Sequence, residues 1–63
     1  MNRLFYAGLL YGEYESHWDI PTDAPEGSYL QMYGAGWWHK NPGWERIAYE
    51  DLPPEIKILN LIL

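Results

Sequence analysis

The segment SYLQMYGAGWWHKNPGWERIAY, residues 28–49, decides the fold that the sequence predicts. Its NPGW sequence at residues 41–44 fits a type II turn, because proline presets φ at the second position and glycine allows a positive φ at the third. The runs on either side are rich in aromatic residues, which favour strands. The segment therefore predicts a β-hairpin. The expected opposed pairs are Lys40–Glu45, His39–Arg46, Trp38–Ile47 and Trp37–Ala48.

Two glycines, Gly34 and Gly36, interrupt the first strand of this predicted hairpin. Glycine inside a strand often marks a bulge or the close approach of another surface. We interpret the pair as a bend that lets one strand, running from about residue 28 to residue 40, curl over the core.

The chain before this segment contains a second alternating pattern. From Tyr11 onward, the acidic and basic side chains alternate with aromatic and small ones as far as Trp18, and this pattern predicts a half-buried strand with an acidic outer face. Residues 3–12 are apolar enough for a helix, which remains the alternative there, although Gly8 and Gly12 each disfavour it by about 1 kcal/mol. The outward set is Glu13, Glu15 and His17, and the inward set is Tyr14, Ser16 and Trp18.

Loop and helix signals complete the chain. IPTDAPEG at residues 20–27 has the prolines, Asp and Gly of an irregular loop. The Pro53-Pro54-Glu55 sequence predicts a helix that starts there, with Asp51 or Leu52 as its cap, and continues to the C-terminus. A terminal strand is the alternative, because Ile-Lys-Ile alternates. The prediction is one domain, residues 1–63, of the α+β class, with a three-stranded antiparallel sheet and a C-terminal helix across one face.

The composition limits how the chain is stabilised. It has 63 residues and no cysteine, so it has neither disulfides nor thiolate metal ligands, as is usual in the reducing cytoplasm. One Phe, six Tyr and four Trp are a heavy aromatic load for this length. A domain this small buries only about 60% of its unfolded surface. We therefore expect some aromatic side chains in an interface with a partner or a second copy.

The formal net charge is −5, and no Lys or Arg occurs between Arg3 and Lys40. A field of one sign repels nucleic acid and anionic membranes and attracts basic surfaces. The apolar run at residues 4–11 is far shorter than the roughly 20 residues of a membrane-spanning helix, and no signal-peptide cleavage site follows it. These features predict a cytoplasmic protein that binds neither nucleic acid nor membrane directly.

Candidates for chemistry are few. His17 and Asp19 share a predicted strand face with two glutamates and could form an acid–base pair or a metal site. Glu13 and Glu15 would be about 7 Å apart along a strand, but a chain this short offers little cleft for a sugar. No phosphate-binding glycine loop is present. We therefore predict a protein that is not an enzyme and has no cofactor and no metal.

The Glu15-Ser16 pair, which follows Glu13, resembles an acidic strand in bacteriophage-encoded inhibitors that imitate DNA. The chain is similar in size and charge to the uracil-DNA glycosylase inhibitors and to anti-CRISPR proteins. In one such family a Glu-Ser pair occupies the DNA-phosphate groove of the target enzyme. The resemblance implies that Glu15-Ser16 takes that part here, in the cytoplasm of a phage host, with a glycosylase or a CRISPR effector as the target.

The predicted function is inhibition, without chemistry, by docking on a basic protein of the host that handles nucleic acid. Carboxylates would replace phosphates, and tryptophans would anchor the interface. The alternative function is a self-associating module that forms a homodimer through its aromatic residues and the apolar helix at residues 56–63. The predicted partner-binding residues are Glu13, Glu15, Ser16, Asp19, Asp23 and Glu26, with Trp18, Trp37 and Trp38 as anchors.

Overall fold

The structure is a computed structural model that describes residues 1–63. The fold is α+β, but the predicted three-stranded sheet is wrong, because the sheet has five antiparallel strands in the order β2-β1-β3-β4-β5. Short 3-10 helices lie at His17–Asp19 and Tyr49–Asp51. The regular elements are β1 (Asn2–Tyr6), β2 (Leu9–Tyr14), β3 (Tyr29–Met32), β4 (Gly36–Lys40), β5 (Trp44–Ile47) and α1 (Pro54–Ile62).

The first additional strand comes from a hairpin at the start of the chain. Strands β1 and β2 are joined by Ala7 and Gly8, which have φ of 55° and 75°. Two central residues with positive φ are what a two-residue type I′ hairpin turn requires. The helix expected as an alternative over residues 3–12 is therefore wrong. The strand predicted from Tyr11 onward is present, but it ends at Tyr14 and does not extend to Trp18.

The second additional strand comes from the glycines that we interpreted as a bend. Residues 33–35 form a turn, closed by a 2.9 Å hydrogen bond from the Ala35 N–H to the Met32 carbonyl. Gly34 has a φ of 79°, a left-handed conformation that glycine adopts at little cost. The segment expected to be one curled strand is thus a hairpin of β3 and β4.

The hairpin of β4 and β5 exists, but the predicted register is wrong by one residue. Trp37 lies opposite Ile47, and Lys40 lies opposite Trp44, so the connection has three residues, 41–43, instead of two. The observed register places Ile47 beside Trp37 in the core. A slip by one residue would leave Ile47 beside Trp38 on the other face, and the burial of apolar side chains selects between the two registers.

Each face of the sheet is covered by a different segment, and each has its own small core. On the first face, which we call the helix face, Phe5 and Trp37 pack against α1 and the residues that precede it. On the second, the loop face, Leu4 and Leu30 pack under residues 15–28. The buried set of the helix face is Phe5, Trp37, Leu52 and Ile56, and that of the loop face is Leu4, Ala24 and Leu30.

The predicted C-terminal helix is present, and the alternative of a terminal strand is wrong. Its N-cap is Pro53, instead of Asp51 or Leu52. Ile56 is buried and Leu59 packs against it in the core of the helix face. The distal part of the helix is not covered, since Leu61 is 79% exposed.

Candidate interaction surface

Residues 15–28 form an irregular segment that we call the acidic loop, and its own hydrogen bonds hold its two ends. At the start, Ser16 caps the 3-10 helix: its Oγ accepts from the Trp18 N–H at 3.2 Å, and its carbonyl accepts from the Asp19 N–H at 3.0 Å. At the end, the hydroxyl and the N–H of Ser28 both donate to the Pro25 carbonyl, at 2.6 and 3.1 Å. These bonds give a segment without long regular structure a defined path.

The acidic loop is also fastened to the sheet, mainly through Lys40. The Lys40 carbonyl accepts from the Gly27 N–H at 2.7 Å, and the Lys40 N–H donates to the Ser28 carbonyl at 2.9 Å. The Lys40 ammonium donates to the Thr22 carbonyl at 3.1 Å. Ala24 is buried against the loop-face core. The loop is therefore held in one conformation before any partner arrives.

Trp18 is the most unusual side chain of this loop, because it is 83% exposed. Its ring centroid lies 4.5 Å from that of His17, itself exposed, and the interplanar angle is 37°. Trp18 belongs to neither apolar core. An exposed tryptophan on an ordered loop is the kind of residue that anchors protein interfaces, where Trp is enriched among hot spots.

All charged residues of the acidic loop other than His17 are carboxylates, and all of them are exposed. They are Glu15, Asp19, Asp23 and Glu26. Glu13, which the sequence placed with them, lies on strand β2, with its Oε2 3.7 Å from the Nε of Arg3. It is the only one of the nine carboxylates with an ion pair, so the loop carboxylates are available to a partner.

The other three cations of the chain lie over aromatic rings of the protein itself. Arg46 lies 5.5 Å from the centroid of Trp38, Lys40 lies 5.7 Å from that of Trp44, and Lys57 lies 5.6 Å from that of Tyr49. Lys40, whose ammonium is bonded to the Thr22 carbonyl, is the basic side chain in contact with the loop, so one cation meets four carboxylates there and the loop remains acidic.

The structure separates the three tryptophans that the sequence proposed as anchors. Trp37 is only 7% exposed and stacks on Phe5, with the ring centroids 5.8 Å apart, so it belongs to the helix-face core. Trp38 is half-buried on the loop face, and its Nε1 is buried without a hydrogen-bond partner. Only Trp18 offers its ring freely to a partner.

Sequence reasoning missed a cleft of about 310 Å³ between the acidic loop and the sheet. Trp44 forms part of its wall, although the sequence analysis used that residue only as part of a turn. The cleft combines loop residues 17–22 with sheet residues 30–44, at least eight positions away along the chain, so no local pattern indicates it. The lining residues are His17, Ile20, Pro21, Thr22, Leu30, Met32, Trp38 and Trp44.

The metal-site hypothesis for His17 and Asp19 finds no third ligand. The chain contains no group of three or more His, Cys, Asp or Glu side chains placed to hold a metal ion. Both residues lie on the 3-10 helix, instead of on the strand face that would have aligned them with Glu13 and Glu15. We therefore do not include a metal site in the proposed function.

Comparison of the chain with protein-family models, with characterised proteins and with solved structures found no match. None of its helices has the length and apolar character that crossing a membrane requires. Any inference about function therefore depends on the geometry and charge described above.

Proposed function

We propose that this chain is a binding protein without catalytic activity that docks its acidic loop on a basic surface of a nucleic-acid-binding protein and blocks it. Trp18, 83% exposed, supports this proposal most directly, because it protrudes from a loop in which every formally charged side chain is a carboxylate. In this proposal the carboxylates occupy the positions of DNA phosphates. The protein acts in the cytoplasm of the cell that contains its target.

The arrangement suits rapid and specific docking. Unpaired carboxylates on one surface steer a basic partner during diffusion and raise the association rate at low salt. A loop already held by hydrogen bonds loses little conformational entropy on binding, and such preorganisation increases affinity. Trp18 contributes a rigid apolar contact at the centre of this charged surface.

Self-association is the second candidate, and the distal part of α1 favours it. Four apolar side chains at the end of the chain are exposed and lie within six residues of one another. Exposed apolar patches often mark interaction sites, and small domains often gain stability by forming oligomers. The four are Ile58, Leu61, Ile62 and Leu63.

The proposal is tested by affinity capture from a bacterial lysate at low and high salt, followed by elution with a DNA oligonucleotide. We expect a basic nucleic-acid-binding protein that is retained at low salt, released at high salt and displaced by DNA. Trp18→Ala and the triple substitution Asp19→Asn, Asp23→Asn, Glu26→Gln should each abolish the capture.

A second triple substitution, Glu45→Gln, Glu50→Gln, Asp51→Asn, is the matched control. It removes the same number of exposed carboxylates from other parts of the surface and should keep the capture. If both triple variants lose the partner equally, net charge is responsible, and the acidic loop is not the docking surface. If wild type captures only copies of itself, self-association becomes the preferred function.

A further inference from the structure

The cleft under the acidic loop has the size and wall chemistry of a small-molecule site. Its volume, about 310 Å³, lies at the lower end of the range of roughly 300–1,000 Å³ that is typical of ligand pockets. Five of its eight lining residues are hydrophobic, and the two tryptophans, Trp38 and Trp44, provide broad flat surfaces. The size and the walls suit one compact, flat, apolar group.

Two basic side chains lie against aromatic rings that line the cleft, although Asp19 and Asp23 flank its loop-side wall at residues 20–22. The Lys40 ammonium is bonded to the carbonyl of Thr22, a lining residue, and lies 5.7 Å from the ring of Trp44. The Arg46 guanidinium lies 5.5 Å from the ring of Trp38. No carboxylate lines the cleft. Two of the four basic side chains of an acidic chain therefore border one apolar cleft.

Arg46 lies across the ring of Trp38, a residue of the cleft wall. It lies opposite Trp38 on strand β5, and its guanidinium extends toward Gly36 on β4. A Cβ at Gly36 would be 2.6 Å from an Arg46 nitrogen, so another residue there would displace the guanidinium, which is the flexible end of an exposed side chain. The φ of Gly36, 87°, likewise favours glycine. The missing side chain at Gly36 thus leaves space for the guanidinium next to Trp38, which lines the cleft.

We propose that this cleft binds a small aromatic carboxylate, a free metabolite whose ring lies among Trp38, Trp44 and the apolar side chains and whose carboxylate faces Lys40 and Arg46. Apolar walls provide the affinity for the ring, and the two cations select for negative charge. The site is independent of the docking proposed for Trp18, which does not line the cleft.

The test uses three probes that share one ring and differ in charge: indole-3-acetate, indole and tryptamine. Each is titrated into isotopically labelled protein while the four indole N–H signals are followed by NMR, after assignment with single Trp→Phe variants. We expect saturable shifts at Trp38 and Trp44 and little change at Trp18 and Trp37. Indole-3-acetate should bind about tenfold more tightly than tryptamine, because two cations attract one probe and repel the other.

Matched variants test the role of the two cations. Arg46→Gln and Lys40→Gln should each weaken indole-3-acetate binding about fivefold, and Arg46→Lys, which keeps the charge, should restore most of it. Lys57→Gln is the control, because it removes a cation from another aromatic ring, that of Tyr49, which does not border the cleft. The amide spectrum of each variant checks its fold.

Three results would overturn the proposal: no shift up to millimolar indole-3-acetate, shifts confined to Trp18 or Trp37, or tighter binding of tryptamine. Equal affinity for the three probes would reject the selection for negative charge and leave only an apolar cleft. None of these results bears on capture of a basic protein through Trp18, so the two proposals fail separately.

Discussion

The two faces of the sheet are covered by different kinds of chain. The helix face is covered by α1, which satisfies most of its backbone hydrogen bonds internally and contributes Ile56 to an apolar core. The loop face is covered by residues 15–28, whose backbone must find partners in its own turns and in the sheet. The fully buried apolar side chains are Phe5 and Ile56 on the first face and Leu4 on the second.

This difference divides stability from recognition. A helix buries one apolar stripe against the sheet, and the buried side chains of that stripe contact only the core. An irregular loop exposes carboxylates and Trp18 outward and encloses a cleft beneath it. We expect the helix face, with four buried apolar side chains against three, to contribute more of the stability, and the loop face to present the surfaces available to partners and ligands.

The largest expected loss of stability comes from a cavity in the core of the helix face. Phe5→Ala should lower the free energy of unfolding by about 3–5 kcal/mol, because the side chain is fully buried and stacks on Trp37. Total stability for a chain of this length is about 3–9 kcal/mol, so the variant should lose a large share of it and melt at a much lower temperature by circular dichroism. Ile20→Ala on the loop is the comparison and should cost about 1 kcal/mol. Equal losses would refute the division of stability between the two faces.

Local signals explain the parts of the fold that the sequence predicted. The loop at residues 20–27 and the helix after Pro53 both depend on proline and glycine, whose effects on the backbone act within a few residues. The turn near Pro42 was located for the same reason, but the predicted type II turn is wrong, because Gly43 does not have a positive φ. These positions are confirmed by the structure.

The additional strands and the register depend on information that is not local. Ala7 takes a positive φ, which is uncommon for alanine, so the β1–β2 turn lacks the usual Asn-Gly or Asp-Gly signal. The turn at Gly34 and a bulge at Gly34 look the same in sequence. The register of β4 and β5 depends on whether their connection has two or three residues, and only the packing of Ile47 in the core decides it.

The candidate surface was partly predictable for a related reason. Charged side chains are almost always exposed, so the carboxylates were identified from composition and position. The tryptophans were not, because Trp37 and Trp38 are adjacent on one strand and point to opposite faces, which the sequence alone does not distinguish. The exposure of Trp18 follows from the 3-10 helix at residues 17–19, which replaced the predicted strand.

These adjacent tryptophans allow a sharper comparison of the two faces. Trp37→Phe and Trp38→Phe remove the same atoms, but the Nε1 of Trp38 is a buried donor without a partner. Leaving such a donor unsatisfied costs about 1–3 kcal/mol, so its removal offsets part of the packing that Trp38→Phe loses. We expect chemical denaturation to show that Trp38→Phe loses less stability than Trp37→Phe, by about 1 kcal/mol or more. The reverse order would indicate that packing around Trp38 dominates.

A smaller effect should come from the hydrogen bonds that hold the loop. The hydroxyl of Ser28 is fully buried and donates to the Pro25 carbonyl at 2.6 Å. Ser28→Ala should lower stability by about 0.5–1.5 kcal/mol and speed hydrogen exchange at the amides of Gly27 and Lys40, which join the loop to β4. Thr22→Ala is the control. It also removes a hydroxyl from the loop, but it keeps the backbone carbonyl that accepts the hydrogen bond from Lys40. Unchanged exchange in Ser28→Ala would mean that other contacts fix the loop.

The smallest change in the stability of the monomer is expected at the C-terminal end of α1, whose side chains do not pack on the sheet. Leu61 is 79% exposed, so Leu61→Glu should change the stability of a monomer by no more than about 0.5 kcal/mol. Sedimentation of wild type and Leu61→Glu over a range of concentrations then measures the oligomeric state of each. If wild type dimerises and Leu61→Glu does not, the distal part of α1 is an interface between two copies, and the helix face serves association as well as stability. If both remain monomers, recognition is confined to the loop face, as the comparison of the two faces requires.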